Sequence, residues 1–377
     1  MERDELQAWL RLTLSPGVGN ETARKLLATF GSAQAVFEQS SSTLNQLGSE
    51  KLSRAIQEVP PTLAALLQTT LDWLAAADDR QIVTLGDAGY PAGLLDIADP
   101  PLMLYMMGAL AQRAQSAIKN IANPVQAQLA IVGSRNPTPQ GEVNARQFAR
   151  TFGASGLCIV SGLALGVDGA AHDGAMLGGG NTIAVVGTGL DRVYPKKHLE
   201  LAHRIAAQGM IVSEFPLGTP PLNANFPKRN RIISGLSQGV LVVEAALKSG
   251  SLITARLAAE QGKEVFAIPG SIHSPQSRGC HALIKQGAKL VETAQDVLEE
   301  LRLPSVQAPE SPPDTDDELP AGSAFLAALG FDVVSLDALQ ARTGLPTPEL
   351  QARLLELELD GHLTRLPGGL FQRIAHV

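Results

Sequence analysis

Between residues 129 and 267 the chain repeats one pattern, in which a short apolar stretch rich in β-branched residues runs directly into a polar loop. Most of these stretches are followed within about a dozen residues by the apolar spacing of a helix. The six stretches are Leu129–Ser134, Cys158–Gly162, Thr182–Gly187, Met210–Glu214, Gly239–Glu244 and Glu264–Gly270. Such a repeat predicts an α/β domain with a parallel sheet, which binds ligands outside the carboxyl ends of its strands.

Residues 1–75, which precede this domain, have the apolar spacing of short amphipathic helices and no strand pattern. Two amphipathic stretches flank Pro16-Gly17-Val18-Gly19, which resembles a helix-hairpin-helix or SAM-like unit. The start of its second helix could hold a phosphate through free backbone amides. A small interaction module that uses the same turn for packing fits equally well, because Glu21 opposes the nearby cations Arg24 and Lys25.

The α/β domain is predicted to span residues 80–303. Its first part, through Pro100-Pro101, reads as irregular, and residues 109–128 read as a helical or loose insertion. Residues 304–322 are acidic and rich in proline, with almost nothing to bury, which predicts a flexible linker.

Residues 323–377 are predicted to form a winged-helix domain. Helical patterns cover Ala324–Leu329, Leu336–Thr343 and Thr347–Leu359, and a hairpin pattern follows. The third helix has the position of a DNA-recognition helix, but its glutamates outnumber its one arginine, Arg353. Negative charge in a major groove opposes the phosphates, which favours a protein-interaction or regulatory role over DNA recognition.

Composition limits the possible classes of function. The 377-residue chain carries a formal net charge of −7, which argues against coating nucleic acid with the whole surface and leaves room for a local basic patch. No apolar run approaches the length of a membrane span, and the charged start does not look like a signal peptide, so we expect a cytoplasmic protein. Cys158 and Cys280 lack metal-ligand spacing and are expected to be buried thiols. We predict no metal and no cofactor.

Three of the polar loops carry candidate anion-binding residues. Gly133-Ser134-Arg135 ends the first strand, where a guanidinium could meet a phosphate in two-point geometry. The loop from Ser161-Gly162 to Gly166 leads into a helix whose start favours an anion, although Asp168 could simply cap that helix. Lys196 and Lys197 follow Tyr194-Pro195 and are either phosphate ligands or a solvated pair.

The segment Phe226–Leu236, FPKRNRIISGL, is the most distinctive of the chain. Its cations Lys228, Arg229 and Arg231 would neutralise phosphates beside Asn230, while Phe226 would offer its face to an unpaired base. A solvated basic turn with Phe226 in the core is the alternative. Downstream, a strand-to-helix turn that could hold an anion contains the hydroxyl residues Ser249, Ser251 and Thr254.

The order and spacing of GSR, SGLALGVD, GTGLDRVYP, SEFP, FPKRNRIISGL, VVEAALKSGSLITA and IPGS resemble the DNA-processing protein A family, also called DprA or Smf. The resemblance implies a Rossmann-like, mostly parallel sheet with helices on both faces, in a homodimer that binds single-stranded DNA. It also implies protection of incoming DNA and loading of the RecA recombinase onto it during natural transformation and recombination.

The same resemblance assigns DNA contacts to particular residues of this chain. Those that match the family's motifs are Arg135, Lys196 or Lys197, Phe226, Arg229, Asn230 and Arg231. One departure is His281, where the family commonly has asparagine; an amide contact there would be lost, although histidine could still donate a hydrogen bond.

An enzyme that acts on nucleotides, such as a phosphoribohydrolase, could use the same end of the sheet. It would need a carboxylate as acid or base, and Asp168, Glu214 and Glu244 are available, but no paired-carboxylate motif is present. A nucleotide-driven motor is favoured even less, because the sequence has no GxxxxGK[ST] loop. The predicted protein is therefore a DNA-binding protein and not an enzyme.

Overall fold

The structure is a computed structural model that describes residues 1–118, 126–303, 323–331 and 333–374. The predicted linker at 304–322 and residues 119–125 of the predicted insertion lie outside the described residues.

Six helices form the N-terminal part of the chain. They are α1 (Arg3–Leu14), α2 (Asn20–Phe30), α3 (Ala33–Phe37), α4 (Ser41–Leu47), α5 (Glu50–Gln57) and α6 (Leu63–Ala75). In α1 the apolar residues Leu6, Leu10 and Trp9 recur at helical spacing and are buried. They pack against α3 and α6. Leu26 of α2 joins the same core.

The central part is built on a sheet with the order β1-β2-β6-β5-β4-β3-β7-β8-β9. Its strands are β1 (Arg80–Thr84), β2 (Met103–Met107), β3 (Gln128–Val132), β4 (Cys158–Ser161), β5 (Thr182–Val185), β6 (Met210–Ser213), β7 (Gly239–Val242), β8 (Glu264–Ala267) and β9 (Lys289–Leu290). The helices are α7 (Ala109–Ile118), α8 (Pro139–Ala154), α9 (Val167–Leu177), α10 (Leu199–Gln208), α11 (Asn225–Leu236), α12 (Ser251–Glu260), α13 (Arg278–Lys285) and α14 (Ala294–Glu300).

All six predicted strands are present and pair in parallel. Helices cover both faces of the sheet, so the strands are buried on both sides and read as continuous apolar runs. Side chains of alternate residues enter two separate cores, with Leu129 and Ile131 in one and Ala130 and Val132 in the other. The predicted mostly parallel α/β sheet is confirmed.

The expectation that the segment through Pro100-Pro101 is irregular was wrong in part. Strands β1 and β2 form an antiparallel pair at the edge of the sheet, and β2 runs antiparallel to β6. Leu104 and Tyr105 are buried at the centre of β2. The sequence of β2, MLYMM, has no β-branched residue and no alternation, so it lacks both of the usual signals of a strand.

The FPKRNR segment lies in helix α11 and is not a turn. Pro227 falls in the first turn of this helix, where a missing N–H group breaks no helical hydrogen bond. Ile232 and Ile233, farther along the helix, are buried against the sheet.

The C-terminal part has the predicted helix and hairpin pattern. It consists of α15 (Ser323–Leu329), β10 (Val334–Ser335), α16 (Leu336–Thr343), α17 (Thr347–Leu359), β11 (Leu363–Leu366) and β12 (Leu370–Arg373). The three strands form a sheet with the order β10-β12-β11. Its core contains Phe325, Leu339, Leu354 and Phe371.

Candidate nucleic-acid interface

A cleft of about 480 Å³ opens at the carboxyl ends of β3 and β7. After β3 the chain builds β4, β5 and β6 on one side, and then returns to place β7 on the other side of β3. Loops that leave neighbouring strands in opposite directions open a crevice between them, and open α/β sheets bind ligands at such a switch point. The cleft therefore occupies the place at which this sheet topology favours a ligand.

Three segments form the walls of this cleft: the loop after β3, the first half of α11, and the turn into α12. Nine predicted site residues line it: Gly133, Ser134, Arg135, Phe226, Arg229, Asn230, Ser249, Ser251 and Thr254. Seven others do not: Ser161, Gly162, Gly166, Lys196, Lys197, Lys228 and Arg231.

Arg135 contributes an exposed cation to the cleft, and Phe226 contributes an aromatic ring. The Arg135 side chain is exposed, and its guanidinium carbon lies 5.6 Å from the centroid of the Phe226 ring. Phe226 is half-buried and belongs to none of the buried cores. Its inner side packs on the backbone of Gly187, where an added Cβ would lie 3.2 Å from the ring. The ring therefore belongs to the cleft wall and not to the core.

Arg229 forms part of the cleft floor and is only 5% exposed. Its guanidinium donates to the carbonyl oxygens of Gly162 and Val185 and to the side chain of Asn230. The carboxylate of Asp168 lies 4.0 Å away. Burial lowers the pKa of Arg229 to about 10, so the group is charged at neutral pH. It is thus a fixed positive charge beneath the cleft, and not the exposed phosphate ligand that the sequence suggested.

Glycine at position 162 makes room for this arginine. A Cβ at that position would lie 2.2 Å from the Arg229 guanidinium nitrogens. Gly162 therefore acts by its small size and its carbonyl, and its predicted role as a DNA ligand is corrected.

Asp168 uses the amides that were expected to hold an anion. Its carboxylate accepts hydrogen bonds from the N–H groups of Gly162 and Ala164, at 3.1 and 3.2 Å. Burial raises the pKa of Asp168, opposed by Arg229 and by these two amides. Ser161 is fully buried and donates to the carbonyl of Ile131 at 2.6 Å. The structural alternative is therefore correct for this loop, and the prediction of Ser161 as a DNA ligand was wrong.

A hydrogen bond from α11 holds the turn into α12 in place. Asn230 donates from its side-chain amide to the carbonyl of Gly250 at 3.2 Å. The hydroxyls of Ser249 and Ser251 are 2.7 Å apart, and Thr254 is almost fully buried behind them. Lys248, which belongs to the turn that the sequence predicted could hold an anion, also lines the cleft. The polar lining residues Asn223 and Gln276 were not predicted from the sequence.

Glu244 fixes the loop after β3 from across the switch point. Its carboxylate accepts from the backbone N–H of Thr138 at 2.9 Å and from the Thr138 hydroxyl at 2.6 Å. Burial raises the pKa of Glu244, and the Thr138 hydrogen bonds oppose that effect. Gly141 allows this approach, because a Cβ there would lie 2.4 Å from the carboxyl carbon. The carboxylate thus anchors the loop that carries Arg135.

Arg231 points away from the cleft, and its predicted contact with DNA is corrected. Its guanidinium pairs with Glu214 and, at 3.2 Å, with Asp99. The Arg231 and Glu214 side chains are 12% and 11% exposed. Burial raises the pKa of Glu214, and the charge of Arg231 opposes that rise. Lys228 is exposed outside the cleft, and its positive charge also opposes the rise in the pKa of Glu214.

Asp99 also connects this cluster to the N-terminal helices. It accepts from Asn20 at 3.1 Å and from Arg24 at 2.8 Å, both on α2. Arg24 further donates to the carbonyl of Ala98. Of the two interpretations of the helix hairpin, these contacts favour packing, because two side chains at the start of α2 already bind protein groups.

Gly166, Lys196 and Lys197 lie outside the cleft between β3 and β7. Gly166 adopts φ +77°, a left-handed conformation that glycine tolerates, and lines a second polar cleft. That cleft contains His198 and an ion cluster of Arg146, Asp173 and Arg204. Lys196 and Lys197 are exposed in the short turn before α10.

Both cysteines are buried, as predicted, and burial raises the pKa of each thiol to about 12. His281, the predicted departure from the family pattern, has its Nε2 atom 3.0 Å from the carbonyl of Gly270. Within the described part of the chain, no group of three or more potential ligands could hold a metal ion. No described helix is both long and apolar enough to span a membrane.

The family model for DNA recombination-mediator protein A matches residues 81–302, more than half of the chain. The chain belongs to this family. Two further models match its flanks: a DprA-like N-terminal HHH domain at residues 3–59 and a DprA winged-helix domain at residues 307–369. The protein is therefore a DNA-processing protein with a winged-helix domain.

Individual members of the DprA family agree with this assignment. Protein Smf of Escherichia coli is 44% identical over 320 residues, which cover 82% of each chain. The X-ray structure of DprA from Streptococcus pneumoniae is similar with a TM-score of 0.62 and 36% identity, covering 80% of this chain and 98% of that one. A Helicobacter pylori DprA structure, described for its single-stranded DNA binding mode, gives a TM-score of 0.51 and 32% identity over 59% of this chain and 96% of that one.

Proposed function

We propose that the protein binds single-stranded DNA without sequence preference, in the cleft between β3 and β7. As the family resemblance implies, we further propose that it acts as a homodimer in the cytoplasm, protects incoming DNA and loads the RecA recombinase onto it. The proposal assigns the cleft to the central domain at 80–303. Residues 1–75 and 323–377 would be accessory domains, with 304–322 as a linker.

The pairing of Arg135 with Phe226 is the observation that carries the proposal. An exposed guanidinium suits a phosphate, and a half-buried ring 5.6 Å away offers a flat apolar surface to a base. In a duplex the faces of the bases are stacked on one another, so only a single strand can use both groups together. The single-stranded DNA binding described for the Helicobacter pylori relative supports the same interpretation.

A salt series tests the proposal. We expect a fluorescein-labelled 20-nucleotide oligo(dT) strand to bind better than a duplex of equal length. The logarithm of the affinity should fall with the logarithm of salt by about 0.7 per phosphate contact. Arg256→Ala is a suitable control variant, because Arg256 is an exposed arginine on α12 that does not line the cleft. Equal affinity for strand and duplex at every salt concentration would contradict the proposal.

Phe226 tests the stacking part of the interface separately. Phe226→Ala should cost about 1–3 kcal/mol of single-strand affinity with little change in salt slope, because stacking releases no counterion. A core phenylalanine would instead cost stability of about 3–5 kcal/mol. Melting temperature and binding isotherm together separate the two outcomes; unchanged affinity per folded molecule would remove Phe226 from the interface.

The phosphoribohydrolase alternative would need a free carboxylate in the cleft. Asp168 is held by loop amides, Glu214 by Arg231, and Glu244 by Thr138. These contacts favour binding over hydrolysis. Incubation with nucleoside monophosphates tests the alternative directly, since release of free base would establish a catalytic activity.

A further inference from the structure

Tyr194 is an exposed aromatic residue beside the cleft that the site described above does not use. Its side chain is 46% exposed. Tyr90 and Tyr105, the other tyrosines, are 7% and 0% exposed. A large apolar ring at the surface costs solvation free energy unless something covers it.

Tyr194 extends the surface that Phe226 begins. The centroids of the two rings are 5.6 Å apart and their planes are inclined by 36°. Phe226 in turn lies 5.6 Å from the guanidinium carbon of Arg135. One cation and two aromatic rings therefore lie close together at the end of the sheet, although they come from three separate segments of the sequence.

The spacing of the rings defines how they could meet a base. A base inserted between two rings needs about 7 Å, twice the 3.4 Å rise of stacked bases. The observed 5.6 Å is smaller and falls within the normal range for a contacting aromatic pair. Phe226 and Tyr194 thus form one continuous surface and not a slot.

Lys196 and Lys197 follow Tyr194 by two and three residues and are both exposed. They do not line the cleft. A strand that leaves the cleft over Tyr194 would bring its next phosphates toward these two ammonium groups. On this path Lys196 and Lys197 would contact phosphates, although they do not line the cleft.

We propose that Tyr194 is a second base-stacking residue, and that the strand leaves the cleft over the Phe226–Tyr194 surface toward Lys196 and Lys197. This inference rests on the proposed single-strand binding. It adds a direction to the bound strand and lengthens the contact beyond the cleft.

Binding of a 20-nucleotide oligo(dT) strand and of an abasic strand of equal length tests the inference in the full-length protein. Tyr194→Ala should weaken oligo(dT) binding about five- to tenfold, the lower part of the range for base–aromatic stacking. The abasic strand should bind the variant and the unaltered protein equally, because it has no base to stack. Tyr194→Phe should retain the affinity. Leu199→Ala is the matched control, since Leu199 is 48% exposed on the same segment.

A structural role for Tyr194 predicts a different result, in which both strands lose affinity equally. That outcome, or unchanged binding of both, would overturn the inference. Irradiation of a 5-iododeoxyuridine strand gives a direct readout: an adduct on Tyr194, found by mass spectrometry, is expected. If Arg135→Ala and Phe226→Ala weaken binding but Tyr194→Ala does not, only this inference fails. If the unaltered protein does not bind oligo(dT), the proposed function fails as well.

Discussion

Arg229 and Arg231 are two residues apart in one motif, yet they belong to different regions of the molecule. Arg229 lies beneath the cleft and donates to backbone carbonyls, whereas Arg231 pairs with two carboxylates next to the N-terminal helices. Two residues along an α-helix are separated by about 200°, so their side chains leave α11 on opposite sides. Cations two residues apart in a sequence therefore do not form one patch when their backbone is helical.

Substitution of the buried Arg229 should have the largest effect on stability. Arg229→Met should lower the free energy of unfolding by about 3–5 kcal/mol, because it leaves the buried carboxylate of Asp168 without its cation. Urea denaturation at neutral pH measures the loss. The exposed control Arg256→Met should change stability by less than about 0.5 kcal/mol. If Arg229→Met is as stable as the control, Arg229 is not the fixed charge described above.

Arg231→Met should lower the free energy of unfolding by about 2–3 kcal/mol. The loss is smaller because solvent screens one partner, Asp99, whose side chain is 45% exposed. Affinity for single strands per folded molecule should not change. A variant that loses affinity and salt slope together would place Arg231 in the interface after all.

The pH dependence sharpens the prediction for Arg231. Burial raises the pKa of Glu214, and Arg231 opposes the rise, so loss of Arg231 raises the pKa further. A carboxyl with a raised folded-state pKa binds its proton more tightly in the folded protein, so stability increases as the pH falls through that pKa. The deficit of Arg231→Met should therefore be largest near pH 7 and shrink in acid. A deficit that stays constant from pH 7 to acid would exclude Glu214 as its cause.

Arg135→Ala should act on binding alone. Loss of one charge-assisted phosphate contact should weaken single-strand affinity roughly tenfold, about 1.4 kcal/mol, and reduce the salt slope by about 0.7. The melting temperature should stay the same, because Arg135 is exposed. Normal affinity and slope would show that phosphates bind elsewhere.

Arg24→Ala should have the smallest effect, less than about 1 kcal/mol, because its ion pair with Asp99 is only partly buried. A double-mutant cycle with Asp99→Asn isolates the pair energy. Lys25→Ala provides a control, since Lys25 pairs with Glu21 at the exposed surface of the same helix. A zero coupling energy would mean that the Arg24–Asp99 pair does not contribute to stability.

The sequence was sufficient for the sheet and for the place of the cleft. Apolar runs such as Leu129–Ser134 carry the strand signal directly, and parallel pairing brings their polar loops to one end of the sheet. The sequence did not predict the direction in which individual side chains point. Asp168 was as good a candidate for capping as for lining an anion site, and only the three-dimensional contacts distinguish these roles.

The partners of Arg231 explain why its role was missed. Asp99 lies in a segment interpreted as irregular, 132 residues away along the chain. Glu214 appeared only as a possible catalytic carboxylate. In the sequence Tyr194 stands out only as part of a motif, because its proximity to Phe226 depends on how a loop and the start of α11 fold toward each other.

The strand order also has a consequence for synthesis of the protein. Strand β3 pairs with β4 on one side and with β7 on the other. Roughly a hundred residues separate the end of β3 from the start of β7, which takes about 5–20 s at ordinary translation rates. During that interval the nascent chain carries a central apolar strand with one edge unpaired, a template for aggregation. Neither the cleft nor a complete sheet exists until β7 has left the ribosome, so this protein should depend on chaperones most strongly in the middle of its own translation.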